Sequence, residues 1–373
     1  MVGTVLLHTK KRGKQKMDDW ISQIKGMINT PDKLGRIINL TPGEAAAITT
    51  LETRWGATPY FASLMDRDDP CCPIRRQIVP SLKELESRYG VKDYLVFHEN
   101  RNIDPERPDS IARQYRDRVA FTVTDSCASY CRHCFRREVV VDRRLRLEFN
   151  IDRGIEWIKK NREIRDVLVT GGDPFLLSDR VLCDLITRLR RIDHVRMIRF
   201  GTRTVINLPQ RITPDLMEIL GDFHKVPIWI NTQCNHPKEI TEQTARAVFD
   251  LLKCGVNVGN QAVLLKGIND DVKTFRELHQ KLVYTRIRPY YLFLCEAAPG
   301  IDHFRTGVEK GAELIRNGLQ GHTTGLARPA HVIATNIGKI PLTDENYLVQ
   351  KTEKEYRLRN YMGEETTLLN VPD

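Results

Sequence analysis

The 373-residue chain contains no uninterrupted apolar run of about 18 residues, the length that a membrane-spanning helix needs. Its opening segment, MVGTVLLHTKKRGKQK, has only a short apolar stretch, placed before its charges, which is not the order of a secretory signal. Neither a repeat of fixed period nor a low-complexity tract occurs. We therefore expect a cytoplasmic protein whose 41% of hydrophobic residues builds a sizeable core.

Disulfide bonds are a further feature that the sequence does not favour. The nine cysteines are odd in number and no export signal accompanies them, so we expect reduced thiols. The formal net charge of +10 would suit an anionic partner, but outside a basic tail at residues 10–16 the arginines are dispersed. We therefore expect no nucleic-acid surface.

Three of the cysteines form a short motif in the loop after a predicted strand. Cys127, Cys131 and Cys134 are separated by three and two residues. A [4Fe-4S] cluster normally has four thiolate ligands, so three leave one iron open. A structural zinc site usually closes its four positions with a second pair of Cys or His, and no second CxxC follows. The spacing therefore favours an iron–sulfur cluster over zinc or three ordinary core cysteines.

The organisation becomes regular from residue 119 onward. Six apolar runs, VAFTV, DVLVT, MIRFG, PIWIN, VNVGNQAVLL and RPYYLFL, alternate with helical stretches near 151–162, 178–192, 213–222, 239–253, 270–284 and 304–318. Strands that alternate with helices predict a parallel sheet, and six strands are two short of a full (β/α)8 barrel. We expect an α/β fold, a partial (β/α)6 barrel, whose chemistry lies at the carboxyl ends of the strands.

The sequence around these elements resembles the lysine 2,3-aminomutase family, which belongs to the radical S-adenosylmethionine (SAM) enzymes. The blocks that carry the resemblance, spread over residues 30 to 350, are YRDRV, CRHCFRR, TGGDPFLLSD, NHPKEI, GNQAVLLKGIND, RPYYLFLCE and HFRTGVEKG. The resemblance implies a helical amino-terminal region at 1–110 that wraps the barrel. The radical SAM core would occupy 111–300, and a segment at 301–373 would hold pyridoxal phosphate (PLP).

The resemblance also assigns ligands to particular residues. The three cysteines would hold the cluster, with SAM on its open iron. SAM would be bound by Gly171, Gly172, Asp173, Gln233 and Gln261. Asn260, beside Gln261 in an apolar strand, could equally be a core amide bonded to neighbouring backbone.

Lys339 matches the lysine that the family links to PLP, although the stretch around it is two residues shorter here. Arg118 matches a phosphate-binding arginine, because a guanidinium suits phosphate geometry. Gln114 stands where the family has a second arginine, so Arg113 or Arg116 could replace that arginine.

The resemblance implies an isomerase that moves the α-amino group of an amino acid to C3. Arg136 would clamp the substrate α-carboxylate. Glu296 replaces the first of two aspartates that hold the lysine ammonium group, and the second falls on Ala334, with Asn336 nearby. Glu296 favours a basic substrate, lysine or arginine, over an acidic one.

Several further expectations follow. No structural zinc is expected, because Asp271 and Val272 stand where the family has a cysteine after GIND and no cysteine follows Cys295. An external electron donor of flavodoxin or ferredoxin type and a homo-oligomer are expected. The alternatives are a radical SAM and PLP enzyme of another outcome, such as dehydrogenation, and a basic iron–sulfur protein that binds nucleic acid.

Overall fold

The computed structural model describes residues 20–94, 106–221, 226–342, 348–360 and 363–371. The basic tail at residues 10–16 lies outside these ranges. Within them, no helix is both long and apolar enough to cross a lipid bilayer.

The main structural unit is a curved sheet of nine strands in chain order. Strands β2 to β8 are parallel, and the edge strands β1 and β9 are antiparallel to their neighbours. The strands are β1 Ile111–Tyr115, β2 Arg118–Thr122, β3 Asp166–Thr170, β4 Met197–Gly201, β5 Ile228–Thr232, β6 Asn257–Leu264, β7 Arg288–Leu294, β8 Ala330–Thr335 and β9 Gly338–Pro341.

All six predicted parallel strands are present, and the structure adds a seventh, β8. A short α-helix, Lys310–Leu314, and a π-helical turn, Ile315–Leu319, precede β8 instead of a long amphipathic helix. The usual strand–helix alternation is therefore weak at this point in the sequence. The expected barrel of six parallel strands is confirmed. The sheet is extended by β1 at one edge and by β8 and β9 at the other.

The helices that connect the parallel strands have amphipathic sequences and polar caps. They are Ile151–Lys160, Asp179–Arg190, Pro214–Leu220, Glu242–Lys253 and Val272–Tyr284. The side chains of Asn150, Ser178, Thr213, Thr241 and Asp271 accept hydrogen bonds from backbone N–H groups in the first turns. Such caps satisfy N–H groups that have no partner inside the helix, and each helix therefore begins at a fixed residue.

Side chains bring the two edges of the sheet together. Gln114 on β1 donates from Nε2 to the carbonyl of Thr335 at 2.9 Å. The backbone N–H of Lys339 on β9 donates to the Tyr115 hydroxyl at 2.6 Å. Gly338 adopts φ +110°, and a Cβ at this position would lie 2.9 Å from the same hydroxyl. The barrel is thus nearly closed by side chains where no strand pairing joins β1 to β9.

The amino-terminal segment packs against the loop that carries the three cysteines. Its helices are Trp20–Lys25, Pro31–Gly35, Pro42–Thr50, Pro59–Ala62 and Pro73–Ile78. Backbone hydrogen bonds join Thr58 N to Ala128 O at 3.1 Å and Tyr130 N to Gly56 O at 2.9 Å. This segment therefore supports the cysteine loop from outside the barrel.

A small antiparallel sheet completes the described chain. Its strands are β10 Leu348–Lys351, β11 Glu355–Arg359 and β12 Glu365–Leu369. Tyr356 and Leu358 pack with Ile333 and Ile340 of the main sheet. The division of the chain at residues 110 and 300 stays a prediction.

Candidate active site

A cavity of about 550 Å³ runs through the barrel from the carboxyl ends of the parallel strands to the first residues of β2, β3 and β4, which are Arg118, Asp166 and Met197. The proposed ligands of the cluster, SAM, PLP and substrate all line it. These residues are Arg118, Cys127, Cys131, Cys134, Arg136, Gly171, Gly172, Asp173, Gln233, Gln261, Glu296 and Lys339. The tertiary structure thus brings together side chains that span more than 200 positions of the sequence.

The cysteine loop begins where β2 ends, at Thr122. All three thiols are free and half-buried. Burial raises the pKa of Cys127 well above its ordinary value and that of Cys134 to about 12. A metal ion or cluster that binds them must therefore displace their protons.

Among the described residues, no three His, Cys, Asp or Glu side chains are grouped to hold one metal ion. Cluster thiolates bind different irons and so need not converge on one point. Three free thiols on one loop, facing one cavity, fit the donor set of a cluster.

Arg203 contacts the cysteine loop, and the sequence reasoning did not identify it. It lies just past the end of β4, and its Nη1 donates to Cys131 Sγ at 2.7 Å. Its Nη2 pairs with Glu239 at 2.9 Å, and both side chains are buried. The available signal was position, because Arg203 lies two residues after the predicted strand MIRFG, and chemistry in such sheets lies at the carboxyl ends of the strands.

Gly171 and Gly172 serve a close approach of two backbone segments. A Cβ on Gly171, at φ +147°, would lie 2.3 Å from the carbonyl oxygen of Thr124, and one on Gly172 would lie 2.3 Å from that of Ser126. Gly172 N–H donates to Thr124 O at 2.6 Å. The two glycines are therefore needed for β3 to pack directly against the start of the cysteine loop.

The carboxylate of Asp173 already accepts hydrogen bonds within the protein. The Thr202 hydroxyl donates to it at 2.6 Å, Arg203 N–H at 2.8 Å and Phe175 N–H at 3.1 Å. Burial raises the pKa of Asp173, and these hydrogen bonds oppose that rise. Asp173 lines the cavity, and its carboxylate fixes the end of β4 beside the cysteine loop.

The amides of β5 and β6 divide into structural and cavity-facing groups. Asn260 is a core amide, because its Oδ1 accepts from Cys234 N at 2.7 Å and its Nδ2 donates to Cys234 O at 3.0 Å. Gln261 lines the cavity from within β6, at an irregularity of the pairing with β7. β6 continues for three residues beyond Gln261.

The end of β5 offers polar atoms without protein partners. Asn231 Nδ2 and Thr232 Oγ1 are buried and have no hydrogen-bond partner among the described residues. Both residues line the cavity. Buried polar atoms of this kind require a partner, so the wall fits a polar ligand such as SAM.

Lys339 lies on β9 and lines the same cavity. Burial, and then the charges of Arg199 and Arg118, lower the pKa of its ammonium group to about 8. Its Nζ lies 5.6 Å from the centre of the Tyr115 ring. A lysine with such a pKa is partly neutral near neutral pH and can attack an aldehyde carbon.

The arginines near Lys339 differ from the sequence expectation. Arg118 lines the cavity and stacks 3.9 Å from the centre of the Tyr115 ring. Arg113 pairs with Glu163 at 2.8 Å and does not line the cavity, nor does Arg116. Arg199 on β4 does line it and had not been identified. Arg199 also has a carboxylate partner, Asp166 at 2.8 Å, so its position at the cavity is what distinguishes it from Arg113 and Arg116.

The two residues expected to bind substrate also have protein partners. Arg136 Nη1 donates to the Thr170 hydroxyl at 2.7 Å, and its guanidinium lies 4.8 Å from the Phe135 ring centre. Glu296 Oε2 accepts from the buried Tyr94 hydroxyl at 2.5 Å. These bonds hold one cationic and one anionic side chain at the same cavity.

Comparison with known proteins agrees with this geometry. The model of the radical SAM superfamily matches residues 121–279. The L-lysine 2,3-aminomutase of Clostridium subterminale is 41% identical over 358 residues, covering 94% of this chain and 83% of that protein.

Two other relatives and one solved structure extend the comparison. The L-lysine 2,3-aminomutase of Methanococcus maripaludis is 39% identical, covering 99% of this chain and 86% of its own. The glutamate 2,3-aminomutase of Clostridioides difficile is 38% identical, covering 95% and 84%. A radical SAM methyltransferase structure from Sphaerobacter thermophilus aligns with TM-score 0.43 and 15% identity over 61% of this chain and 72% of its own.

Proposed function

The chain belongs to the lysine 2,3-aminomutase family of radical SAM enzymes, and from this premise we propose that it converts a basic L-amino acid into its β-isomer. A [4Fe-4S] cluster, SAM and PLP are the cofactors of this family. The observation that carries the proposal is that three cysteines and a lysine of lowered pKa line one cavity inside the barrel.

When bound, the cluster and SAM supply a carbon radical that removes hydrogen from C3, and PLP carries the migrating amine. The protein's own share is to hold and orient. Cys127, Cys131 and Cys134 would bind the cluster. Gly171, Gly172, Asp173, Gln233 and Gln261 form the adjoining wall, where SAM would lie.

Lys339 would bind PLP through its amine, and Arg118 would neutralise the phosphate. The lowered pKa of Lys339 leaves part of the amine unprotonated, which bond formation with an aldehyde requires. Arg136 would pair with the substrate α-carboxylate, since a guanidinium can bind both oxygens at once. Thr170 limits the positions available to that guanidinium.

Glu296 supports a substrate with a cationic side chain. Its carboxylate lines the cavity and is oriented by Tyr94. Family members specific for glutamate carry a lysine at this position, whereas an anion here would repel a second carboxylate. We therefore propose lysine first and arginine second as substrates.

The reaction requires an external reductant, for which we propose an electron carrier of flavodoxin or ferredoxin type. A cytoplasmic location and a homo-oligomeric state are part of the same proposal. The absence of a structural zinc site also stays a prediction.

Anaerobic reconstitution with iron, sulfide, PLP and SAM tests the proposed function. Lysine, arginine, ornithine and glutamate are then screened by mass spectrometry for β-isomers. A β-isomer of lysine or arginine is expected. A dehydrogenated product, or retention on nucleic acid without formation of 5′-deoxyadenosine, would replace the proposal with one of the two alternatives.

Two substitutions separate the assigned roles. Lys339→Ala should retain some SAM cleavage and lose amine migration, because it removes only the proposed PLP link. Glu296→Gln should raise KM for a basic substrate about tenfold or more, since it removes a charge of the binding site. Retained migration in Lys339→Ala, or an unchanged KM in Glu296→Gln, would contradict the respective role.

A further inference from the structure

The guanidinium of Arg203 is held in one position by partners from three separate segments. Its Nε donates to the carbonyl of Gln233 at 3.2 Å. Its Nη2 donates to Gln77 Oε1 at 2.8 Å and to Glu239 Oε2 at 2.9 Å. The remaining terminal nitrogen, Nη1, lies 2.7 Å from Cys131 Sγ. The positive charge of Arg203 therefore lies against one thiol of the cysteine motif, that of Cys131.

The partners of Arg203 are themselves buried and connected. Gln77 and Glu239 are both fully buried, and Gln77 Nε2 donates to Glu239 Oε1 at 3.0 Å. Asn235 donates from its backbone to Glu239 Oε1 at 3.1 Å and from Nδ2 to Gln77 Oε1 at 3.0 Å. Removing two charges from water carries a desolvation cost that an apolar pair of the same volume would avoid. The ion pair is therefore costly to bury, and three further hydrogen bonds among Gln77, Asn235 and Glu239 hold it in place.

The direction of the hydrogen bond fixes what Arg203 does to the sulfur. A guanidinium has donors and no acceptor, so Cys131 Sγ must accept. A charged donor on a cluster sulfur withdraws electron density and favours the state with one more electron, and hydrogen bonds to sulfur are among the determinants of cluster potentials. Glu239 accepts from Nη2, whereas the other terminal nitrogen, Nη1, contacts Cys131. The negative charge of Glu239 is therefore farther from the sulfur than the positive charge of Arg203.

We propose that Arg203 is a positioning residue that raises the reduction potential of the cluster through Cys131, and that Glu239 moderates this effect. The inference rests on the proposed function, because it takes the three cysteines as cluster ligands. It concerns electron entry into the cluster and is independent of which amino acid reacts.

Two variants give opposite shifts. Glu239→Gln keeps the cation beside Cys131 and removes its counter-charge, so the midpoint potential should become more positive. The double variant Arg203→Gln with Glu239→Gln removes both charges, and the nearer one dominates. Its potential should therefore become more negative than that of the wild type. The double variant also avoids leaving Glu239 as an unpaired buried carboxylate.

The midpoint potential is measured by an anaerobic redox titration of the reconstituted protein without SAM, monitored by electron paramagnetic resonance. Iron and sulfide content are determined for each variant. Arg246→Gln, which removes an exposed guanidinium paired with Asp250, is the matched control and should leave the potential unchanged. Opposite shifts at equal iron content support the proposal. Unchanged potentials, shifts of the same sign, or loss of iron from both variants would assign Arg203 a purely structural role. A wild-type protein that takes up no cluster would instead contradict the proposed function.

Discussion

The two sides of the cavity are built in different ways. On the cysteine side, Arg132 and Arg137 both pair with Glu84, at 2.5 Å and 3.1 Å, and the Glu84 side chain is fully buried. Near Lys339, the side chains of the Arg118–Asp117 pair are 40% and 53% exposed, and those of the Arg199–Asp166 pair are 17% and 12% exposed. The cysteine side is held by buried charges, and the Lys339 side by single hydrogen bonds between sheet edges.

This difference fits two separate functions, support of the cluster on one side and binding of PLP on the other. A cluster ligand must keep its place while electrons pass, and rigid support preserves its geometry. A lysine that binds and releases an aldehyde group needs an amine that is easily deprotonated. Substitutions on the two sides should therefore have separable effects.

The largest effect is expected for Cys134→Ala, which should abolish the formation of 5′-deoxyadenosine. Two thiolates cannot hold the cluster in the geometry that leaves one iron for SAM. Iron content and deoxyadenosine are measured after reconstitution. Cys183→Ala, at an exposed thiol on the helix Asp179–Arg190, is the control and should change neither. Deoxyadenosine from Cys134→Ala would remove this cysteine from the site.

Glu84→Gln should lower the free energy of unfolding by about 3 kcal/mol, because buried Arg132 loses its charged partner and Arg137 keeps only its pair with Asp142. Although burial alone would raise the pKa of Glu84, the hydrogen bonds and charges of Arg132 and Arg137 bring it below its ordinary value. The stabilisation is therefore present above the ordinary carboxyl pKa and is lost as the pH falls through the lowered one.

Denaturant unfolding at several pH values measures this effect. Glu163→Gln, in the partly exposed pair with Arg113 on the Lys339 side, should cost less than about 1 kcal/mol. An equal loss of unfolding free energy in Glu84→Gln and Glu163→Gln would contradict the distinction between the cysteine side and the Lys339 side.

Lys339→Met should stabilise the cofactor-free protein by about 3 kcal/mol at pH 7, since burying the ammonium group opposes folding. The pKa of Lys339 is about 8 in the folded protein against 10.5 ordinarily. The penalty is therefore complete below pH 8 and fades as the pH rises toward 10.5. Thermal unfolding from pH 7 to 10 tests this, with exposed Lys160→Met as the control. A destabilised Lys339→Met protein at pH 7 would contradict the inferred cost.

The smallest effect is expected for Tyr115→Phe, which removes the hydroxyl that accepts from Lys339 N–H. Loss of one such hydrogen bond, about 1 kcal/mol, should weaken PLP binding about fivefold while the iron content stays unchanged. Absorbance titration with PLP measures the affinity. Tyr284→Phe, at a side chain that is 76% exposed, serves as the control. A parallel loss of iron would show that the two sides are coupled.

Much of this site could be predicted because its signals are local in sequence. The cysteine spacing and the resemblance to known motifs selected residues that all line one cavity. Three contacts could not be settled from the sequence alone. Whether Asn260 binds a ligand or the backbone was left open, and no local pattern indicated that Arg113 pairs with Glu163 or that Arg203 contacts Cys131. Each depends on a partner that lies between 26 and 72 residues away along the chain.

By itself the sequence determined the alternation of strands and helices, the trio of thiols and the family, because periodicity and short spacing act within one segment. Only the tertiary structure decided which charges neutralise one another and which amine is partly deprotonated. Those properties depend on burial and on distances between segments, such as the 224 positions that separate Tyr115 from Lys339. Folding sets such distances, and no local pattern of residues encodes them.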